Sequence, residues 1–354
     1  MIVCAGSGGV GKTTMASAIA VRACQIGLRT LVLTVDPAKR LATALGLNLN
    51  EIADCPVALS PQVGEENCAG SLSAAVIDSK KIFDQFIRVH SQNNEITERI
   101  MRNRLYQQLS TTLAGSQEFT ALERLLQSVE NGKYDLVVLD TPPTKHAMDF
   151  LTAPERINAL FQDAITKWFM GSGDRAPGFL AALVSKGTRT VLKSLEVLTG
   201  GPFIEELIDF FSAMRGIQKI LRERSQRVEA LLKNKQTRFL VVTSFDAAKL
   251  QEAKYLGTQL KNLGYHLQGV IINRAFPIWL PAPFDEARER SPSYEKVWNF
   301  YAQFKDYYSI RYSLYERFAA TLDKSVVLMR IPEYQQDIHG IDDLEKLASV
   351  LAEL

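Results

Sequence analysis

Seven short segments of the chain are apolar along most of their length: Ile2–Ala5, Thr30–Val35, Leu72–Ile77, Tyr134–Asp140, Arg238–Thr243, Leu267–Asn273 and Ser325–Ile331. A strand with one wet face alternates apolar and polar residues, whereas a strand buried on both faces does not. Longer stretches with apolar residues at helical spacing separate the runs, as parallel strands joined by crossover helices require. The pattern predicts an α/β fold, a doubly wound and mostly parallel sheet of about seven to eight strands covered on both faces. The chain of 354 residues is 46% hydrophobic and 23% charged, with 41 basic against 39 acidic side chains and a formal net charge of +2. That balance excludes a disordered chain, a collagen-like repeat and a broadly basic nucleic-acid coat.

Gly6-Ser7-Gly8-Gly9-Val10-Gly11-Lys12-Thr13 follows the first run and precedes the helical stretch Thr14-Met15-Ala16-Ser17-Ala18-Ile19-Ala20. It fits G-x-x-x-x-G-K-[ST] in the strand–loop–helix context which that motif needs. Glycines let backbone N–H groups turn inward around phosphates, and the helix N-terminus adds its positive dipole end. Gly8, Gly9, Val10 and Gly11 are therefore phosphate-binding candidates. Lys12 brings a cation to the β/γ-phosphates, and the Thr13 hydroxyl is placed to ligate Mg²⁺. The run Leu136-Val137-Val138-Leu139-Asp140 ends in a carboxylate and has the form of a Walker B strand, which makes Asp140 the second metal candidate. Asp36 ends the second run and is the candidate for orienting an attacking water; a helix N-cap ahead of Pro37 is the structural alternative. ATP and Mg²⁺ are the expected cofactors of a P-loop NTPase.

Two long intervals lack strand-like runs, at about 79–128 and about 154–235, and read as helical insertions forming a subdomain within a single domain spanning 1–354. The first carries Ile82, Phe83, Phe86 and Ile87 at helical spacing. In the second, Phe203, Ile204, Leu207, Ile208, Phe210, Phe211, Met214 and Ile217 form a broad apolar face, preceded by the glycine-rich Gly171–Gly178. Such a face either holds the insert together or binds an apolar segment of another protein. The aromatic stretch from Phe276 to Phe318 reads as a helix packed on the sheet with its rings in the core.

The segments GSGGVGKTT, TVDPA, LDTPPTKHAMDFL and VIINR resemble the ArsA-like ATPases, the family of arsenical-pump-driving subunits and tail-anchored-protein targeting factors. The resemblance runs in order over nearly the whole chain and includes both insertions. It implies a phosphate loop from Gly6 to Thr14, a first switch at Asp36-Pro37-Ala38 and a second at Asp140-Thr141-Pro142-Pro143-Thr144. It also implies that Asn273 hydrogen-bonds adenine and that Arg330-Ile331-Pro332-Glu333, with Pro332, closes over the base. The expected assembly is a dimer whose halves close around ATP and reshape a surface of inserted helices. The expected client is a hydrophobic helix or membrane-protein segment.

The chain departs from that family in four places. Where relatives carry a lysine that reaches across the dimer, this loop has Ser7, and a hydroxyl supplies no positive charge. Such charge is worth several powers of ten in phosphoryl transfer. Either Lys39, Arg40 or Lys145 substitutes, or hydrolysis is slow, or the chain forms a heterodimer with a Lys-bearing paralogue instead of a homodimer. The targeting factors' zinc-binding CxxC has no counterpart, since no cysteine lies between Asn273 and Lys324. No cysteine follows Cys68, so the thiolate site that handles arsenite, or the cluster of a nitrogenase-type reductase, is not expected. Finally, there is one phosphate loop, not a tandem pair.

A regulatory ATPase or heterodimer partner without a hydrophobic client is the alternative reading. A membrane- or DNA-positioning switch fits less well. The stripe Ile341, Leu344, Leu347, Ala348 and Leu351 is flanked by Asp342, Asp343, Glu345 and Glu353 against the single Lys346, a balance that anionic lipid repels. The groups Arg99, Arg102, Arg104 and Arg222, Arg224, Arg227 have acidic neighbours and read as solvated helix faces, so no nucleic-acid partner is expected. Cys4, Cys24, Cys55 and Cys68 read as reduced thiols. His146 is the one histidine that falls within a switch, with nothing supporting a catalytic role. No uncharged apolar run reaches the length of a transmembrane segment, and the opening MIVCAG lacks the features of a signal peptide, so a cytoplasmic location is expected.

Overall fold

The computed structural model describes residues 1–35, 40–45, 54–59, 70–91, 93–104, 106–107, 116–143, 147–153, 156, 201–275, 295–334, 336–338 and 340–353. Ile2–Gly6 (β1) lies inside the sheet, paired in parallel with Leu136–Asp140 (β5) on one side and Arg238–Ser244 (β6) on the other. Arg29–Thr34 (β2), Cys55–Val57 (β3), Ser71–Val76 (β4), Leu267–Asn273 (β7) and Val327–Arg330 (β8) complete an eight-stranded sheet of order β3-β4-β2-β5-β1-β6-β7-β8. Every pairing is parallel except that of β3 with β4. The chain winds one way from β1 to β2 and the other way to β6, so the carboxyl end of β1 sits at the reversal of strand order where such sheets bind ligands.

The predicted runs fall within two residues of seven of these strands. The eighth, β3, has three residues with Pro56 in the middle, and pairs Cys55 with Ala74 and Val57 with Leu72. Nothing in so short a run, broken by a residue without an N–H, announces a strand, and an edge position is where such a segment is tolerated.

Two compact units divide the chain. One comprises residues 1–76, 131–148 and 233–354, the other residues 77–130 and 149–232. In the first, the helices Lys12–Gln25 (α1) and Gly340–Glu353 (α9) share a buried core with the sheet. Met15, Ala16, Ala20, Val21 and Cys24 of α1 and Leu344, Leu347 and Ala348 of α9 join Cys4, Val32, Val138, Val242 and Ile271 there. The alanines bring the α1 backbone close to the strands, as expected of small residues at a packing face. The apolar stripe of the C-terminal helix is therefore core-facing, with Ile341 and Leu351 at its margin.

Helices Arg40–Leu45 (α2), Ala247–Asn262 (α7) and Glu295–Ala319 (α8) belong to the same unit. The expectation that the aromatic rings of the last of these are buried holds only in part. Tyr308 and Phe318 are buried and Tyr315 stacks on Phe245 at 6.3 Å, but Phe300 is 63% and Ile310 64% exposed, and Tyr307 and Tyr312 are exposed as well. Residues 276–294 of the aromatic stretch, and the side chains of Trp298 and Tyr301, lie outside the described residues.

The second unit contains Ser79–His90 (α3), Asn94–Arg102 (α4), Ser116–Glu130 (α5) and all but the last residue of Gly201–Lys233 (α6). Asp78 and Asn93 cap α3 and α4, their carboxylate and amide oxygens accepting from the N–H groups of Lys81 and Ile96. Phe86, Ile87, Ile100, Tyr106, Phe119, Phe210, Ile217 and Leu221 form the core. Phe86 meets Phe119 edge-on at 5.7 Å, and the Tyr106 hydroxyl donates to Asp84 at 2.6 Å. Phe210 and Ile217, two members of the predicted apolar face, are thus spent on internal packing, while the side chains of Phe203, Ile204, Leu207, Ile208, Phe211 and Met214 lie outside the described residues.

Arg224 is a second correction. It is not on a solvated face: its guanidinium grips Glu123 through two bonds, Nε to Oε2 at 2.8 Å and Nη2 to Oε1 at 2.6 Å, and Glu123 is 1% exposed. Charge spacing along one helix does not reveal a partner about a hundred residues earlier. Among the described residues no helix is long and apolar enough to cross a membrane.

Candidate nucleotide site

The site is assembled where β1 turns into α1. Gly6 has φ +155, and a Cβ there would stand 2.1 Å from the Val242 carbonyl oxygen of the neighbouring strand, so residue 6 has to be glycine. Gly11 caps α1 with φ +90 and makes no side-chain capping bond, leaving the first turn's N–H groups directed into the loop. Lys12 is buried and its Nζ donates to the Ser7 carbonyl at 2.8 Å across the loop.

Asp140 joins three elements. The Thr13 hydroxyl of α1 donates to Asp140 Oδ2 at 2.6 Å, and Thr34 at the end of β2 donates to the same oxygen at 3.0 Å. The carboxylate is 1% exposed. Parallel pairing places it there, since Asp140 stands in register with both Cys4 and Thr34. Thr13 Oγ1 and Asp140 Oδ2 are hard oxygen donors within hydrogen-bonding distance, a pair suited to Mg²⁺. Among the described residues no group of three His, Cys, Asp or Glu residues is placed to hold a metal ion.

The strands next to Asp140 are tied to it. Val35 N–H donates to the Asp140 carbonyl at 3.3 Å, and Thr141 donates to the Cys4 carbonyl through its N–H at 3.1 Å and its hydroxyl at 3.0 Å. Burial pushes the Cys4 thiol far above its ordinary value and the nearby Asp140 charge adds to it, so this cysteine is an inert part of the core. Asp36, Lys39, Thr144, Lys145 and His146 lie outside the described residues, as does the side chain of Arg40.

On the far side of the loop, Asn273 ends β7, and its Nδ2 donates to the Val10 carbonyl at 2.9 Å. Its Oδ1 accepts the N–H of Arg274 at 3.0 Å. Among the described residues Arg274 is the non-glycine residue with positive φ, at 53°, a strained backbone that the Asn273 bond and a 3.0 Å contact from its guanidinium to Asp337 hold. Ile331 accepts from Ala275 N–H at 2.8 Å and donates to the Ile272 carbonyl at 2.9 Å. These bonds set Pro332 beside the end of β7, on the same edge as Asn273. Thr14, Gly8 and Gly9 belong to the same loop-and-helix turn.

One contact escapes sequence reasoning. The buried Ser7 hydroxyl donates to the carboxylate of Glu252 on α7, and Lys249 Nζ lies 3.2 and 3.4 Å from the two oxygens of that carboxylate. A lysine and a glutamate three apart on a helix are a common surface pair; that they stand against a loop 245 residues away is not written in their spacing.

Comparison with known proteins agrees with this architecture. The chain is similar to the ATPase GET3 of Malassezia globosa, 24% identical over 273 residues that cover 77% of this chain and 72% of that protein. It is also similar to the ATPase get3 of Aspergillus terreus and that of Aspergillus niger, each 23% identical over 347 residues, 98% of this chain and 88% of theirs. The family model described as anion-transporting ATPase matches residues 1–353. The chain therefore belongs to the ArsA-type anion-transporting ATPase family, and by that membership it is an ATPase.

Proposed function

We propose that the chain is a Mg²⁺-dependent ATPase that dimerises under nucleotide control and uses hydrolysis to change the conformation of its helical unit. The observation that carries this reading is the convergence of Thr13 and Thr34 on the buried Asp140 beside Lys12, a metal-and-phosphate constellation inside the sheet's ligand-binding edge. Lys12 neutralises charge on the β/γ-phosphates, the loop N–H groups hold the phosphate chain, and Thr13 and Asp140 hold the metal. Bound there, Mg²⁺ would offset charge on the phosphate oxygens. Asp36 orients the water for in-line attack, and the catalytic work is positioning and electrostatics. Asn273 and Pro332 border the adenine. The dimer, homomeric or with a lysine-bearing partner chain, and its hydrophobic helical client follow from the likeness of the phosphate loop, switches and inserted helices to the ArsA-type family.

A second reading, a regulatory ATPase without such a client, is favoured by one feature. Phe210 and Ile217 are buried in the helical unit's own core, which removes them from any exposed groove.

The test is light scattering after size exclusion with ADP or a non-hydrolysable ATP analogue, with phosphate release measured on the same samples. An ATP-dependent dimer with turnover is expected. Asp36→Asn should retain ATP binding and lose most turnover; equal turnover in that variant removes the assigned water-orienting role. A monomer in every nucleotide state overturns the gated dimer. Capture of an apolar helical peptide in the ATP state alone separates the client reading from the regulatory one.

A further inference from the structure

Ser7 is held from both sides. Its carbonyl receives Lys12 at 2.8 Å, and its hydroxyl donates to Glu252. A carboxylate bonded to a loop that binds polyphosphate raises the local negative potential and opposes its ligand. Glu252 is not alone, since Lys249 Nζ stands 3.2 Å from Oε2 and 3.4 Å from Oε1. This pair is set by the backbone. The N–H of Lys249 donates to Asp246 at 3.1 Å, and its carbonyl accepts the buried Thr243 hydroxyl at 2.9 Å. The main chain of Lys249 is therefore pinned at the first turn of α7, directly after the strand that neighbours β1. Its side chain is 33% exposed and hangs on a flexible four-carbon stem.

We propose that Lys249 is a second phosphate-directed cation of this site, beside Lys12, serving the nucleotide at its own chain's loop in place of the charge that Ser7 cannot carry. The inference rests on the reading of this loop as the seat of hydrolysis. Glu252 acts as a positioning residue: its bond to Ser7 keeps the Lys249 ammonium at the loop while no phosphate is there to take it. An arriving terminal phosphate repels the carboxylate and attracts the ammonium, so the ion pair opens and the lysine exchanges one anion for another.

The test compares Lys249→Gln and Lys249→Arg with the parent chain at full length. It measures phosphate release at saturating ATP, and ATP and ADP affinities by displacement of a fluorescent nucleotide. Lys249→Gln should lower turnover and the preference for ATP over ADP by at least about tenfold each, the effect of removing one transition-state cation. Its ADP affinity should stay near the parent's, and Lys249→Arg should keep most of both properties. Adding Ser7→Lys to Lys249→Gln should restore turnover. Parent-like turnover and nucleotide preference in Lys249→Gln overturn the assignment. So does an equal loss of ATP and ADP binding, which marks a structural role. If the parent itself releases no phosphate, the hydrolytic reading fails separately, and the ATP-to-ADP preference still decides the role of Lys249.

Discussion

The brace between Asn273 and the phosphate loop makes a prediction that separates two roles for one amide. Its Nδ2 donates to the Val10 carbonyl at 2.9 Å, and its Oδ1 accepts from Arg274, whose backbone is held at φ 53. Asn273→Ala removes both bonds. A neutral hydrogen bond within a protein contributes about 0.5–1.5 kcal/mol net, so loss of the brace should weaken nucleotide binding by roughly two- to thirteen-fold. Because Val10 belongs to the phosphate loop, this loss is common to ATP and GTP. A contact with adenine adds a further loss for ATP alone. Gly11 supplies the control, since a Cβ there would stand 2.4 Å from Asn273 Nδ2 and the residue has φ +90. Gly11→Ala should cost about 1–2 kcal/mol for the left-handed backbone and also displace the amide. In the double variant Gly11→Ala/Asn273→Ala the brace is lost only once, so the combined loss should fall short of the sum. The assay is calorimetric titration of ATP and GTP into the four proteins. GTP affinity unchanged by Asn273→Ala, or strictly additive losses, would refute the brace.

Two further predictions concern the helical unit. Arg224→Ala strands the buried carboxylate of Glu123 and should lower stability by about 3–5 kcal/mol, whereas Glu123→Leu/Arg224→Met should unfold near the parent's denaturant midpoint. Equal midpoints for the single variant and the parent would show that the pair carries no energetic weight. His90, half-buried with its ring 4.7 Å from that of Phe86, is shifted below its ordinary value by burial, with Glu123 pulling it up and Arg224 down. The unfolded chain then binds the proton more readily, so this contribution is intact above pH 6.5, the unfolded value, and is lost as pH falls below it. In His90→Gln, denaturant midpoints measured between pH 7.5 and 5 should fall less steeply than the parent's.

The parts of this molecule that sequence reveals are those whose cause is local. Val3, Leu31 to Leu33, Val137 to Leu139, Phe239 to Val242 and Val270 to Ile272 are apolar on both sides because each strand is covered twice, and a continuous apolar run records that directly. The glycines of the phosphate loop record backbone shapes that other residues do not adopt. Illegible features depend on distant partners. Cys55–Val57 is a strand because β4 offers it an edge, not because of its own residues. Arg224 is buried because Glu123 lies opposite, and Ser7 is buried against Glu252 because β6 runs beside β1. Likewise the rings of Glu295–Ala319 share a helical stripe, but how much of that stripe is covered depends on what lies over it.

The position of Asp140 explains why nucleotide chemistry at this loop should be felt by more than one segment. Its side chain takes Thr13 and Thr34, its carbonyl takes Val35 N–H, and the next residue is fastened twice to Cys4. The carboxyl ends of β1, β2 and β5 therefore have no independent resting places. A ligand shifts an equilibrium only by the difference in its contacts with the two states. Anything that draws the Thr13 and Asp140 oxygens from each other onto a metal alters a contact shared by all three strand ends. The residues that follow β2 and β5, beginning at Val35 and Thr141, leave the sheet from those ends, so loss of a phosphate or metal held there would reach them through bonds already in place.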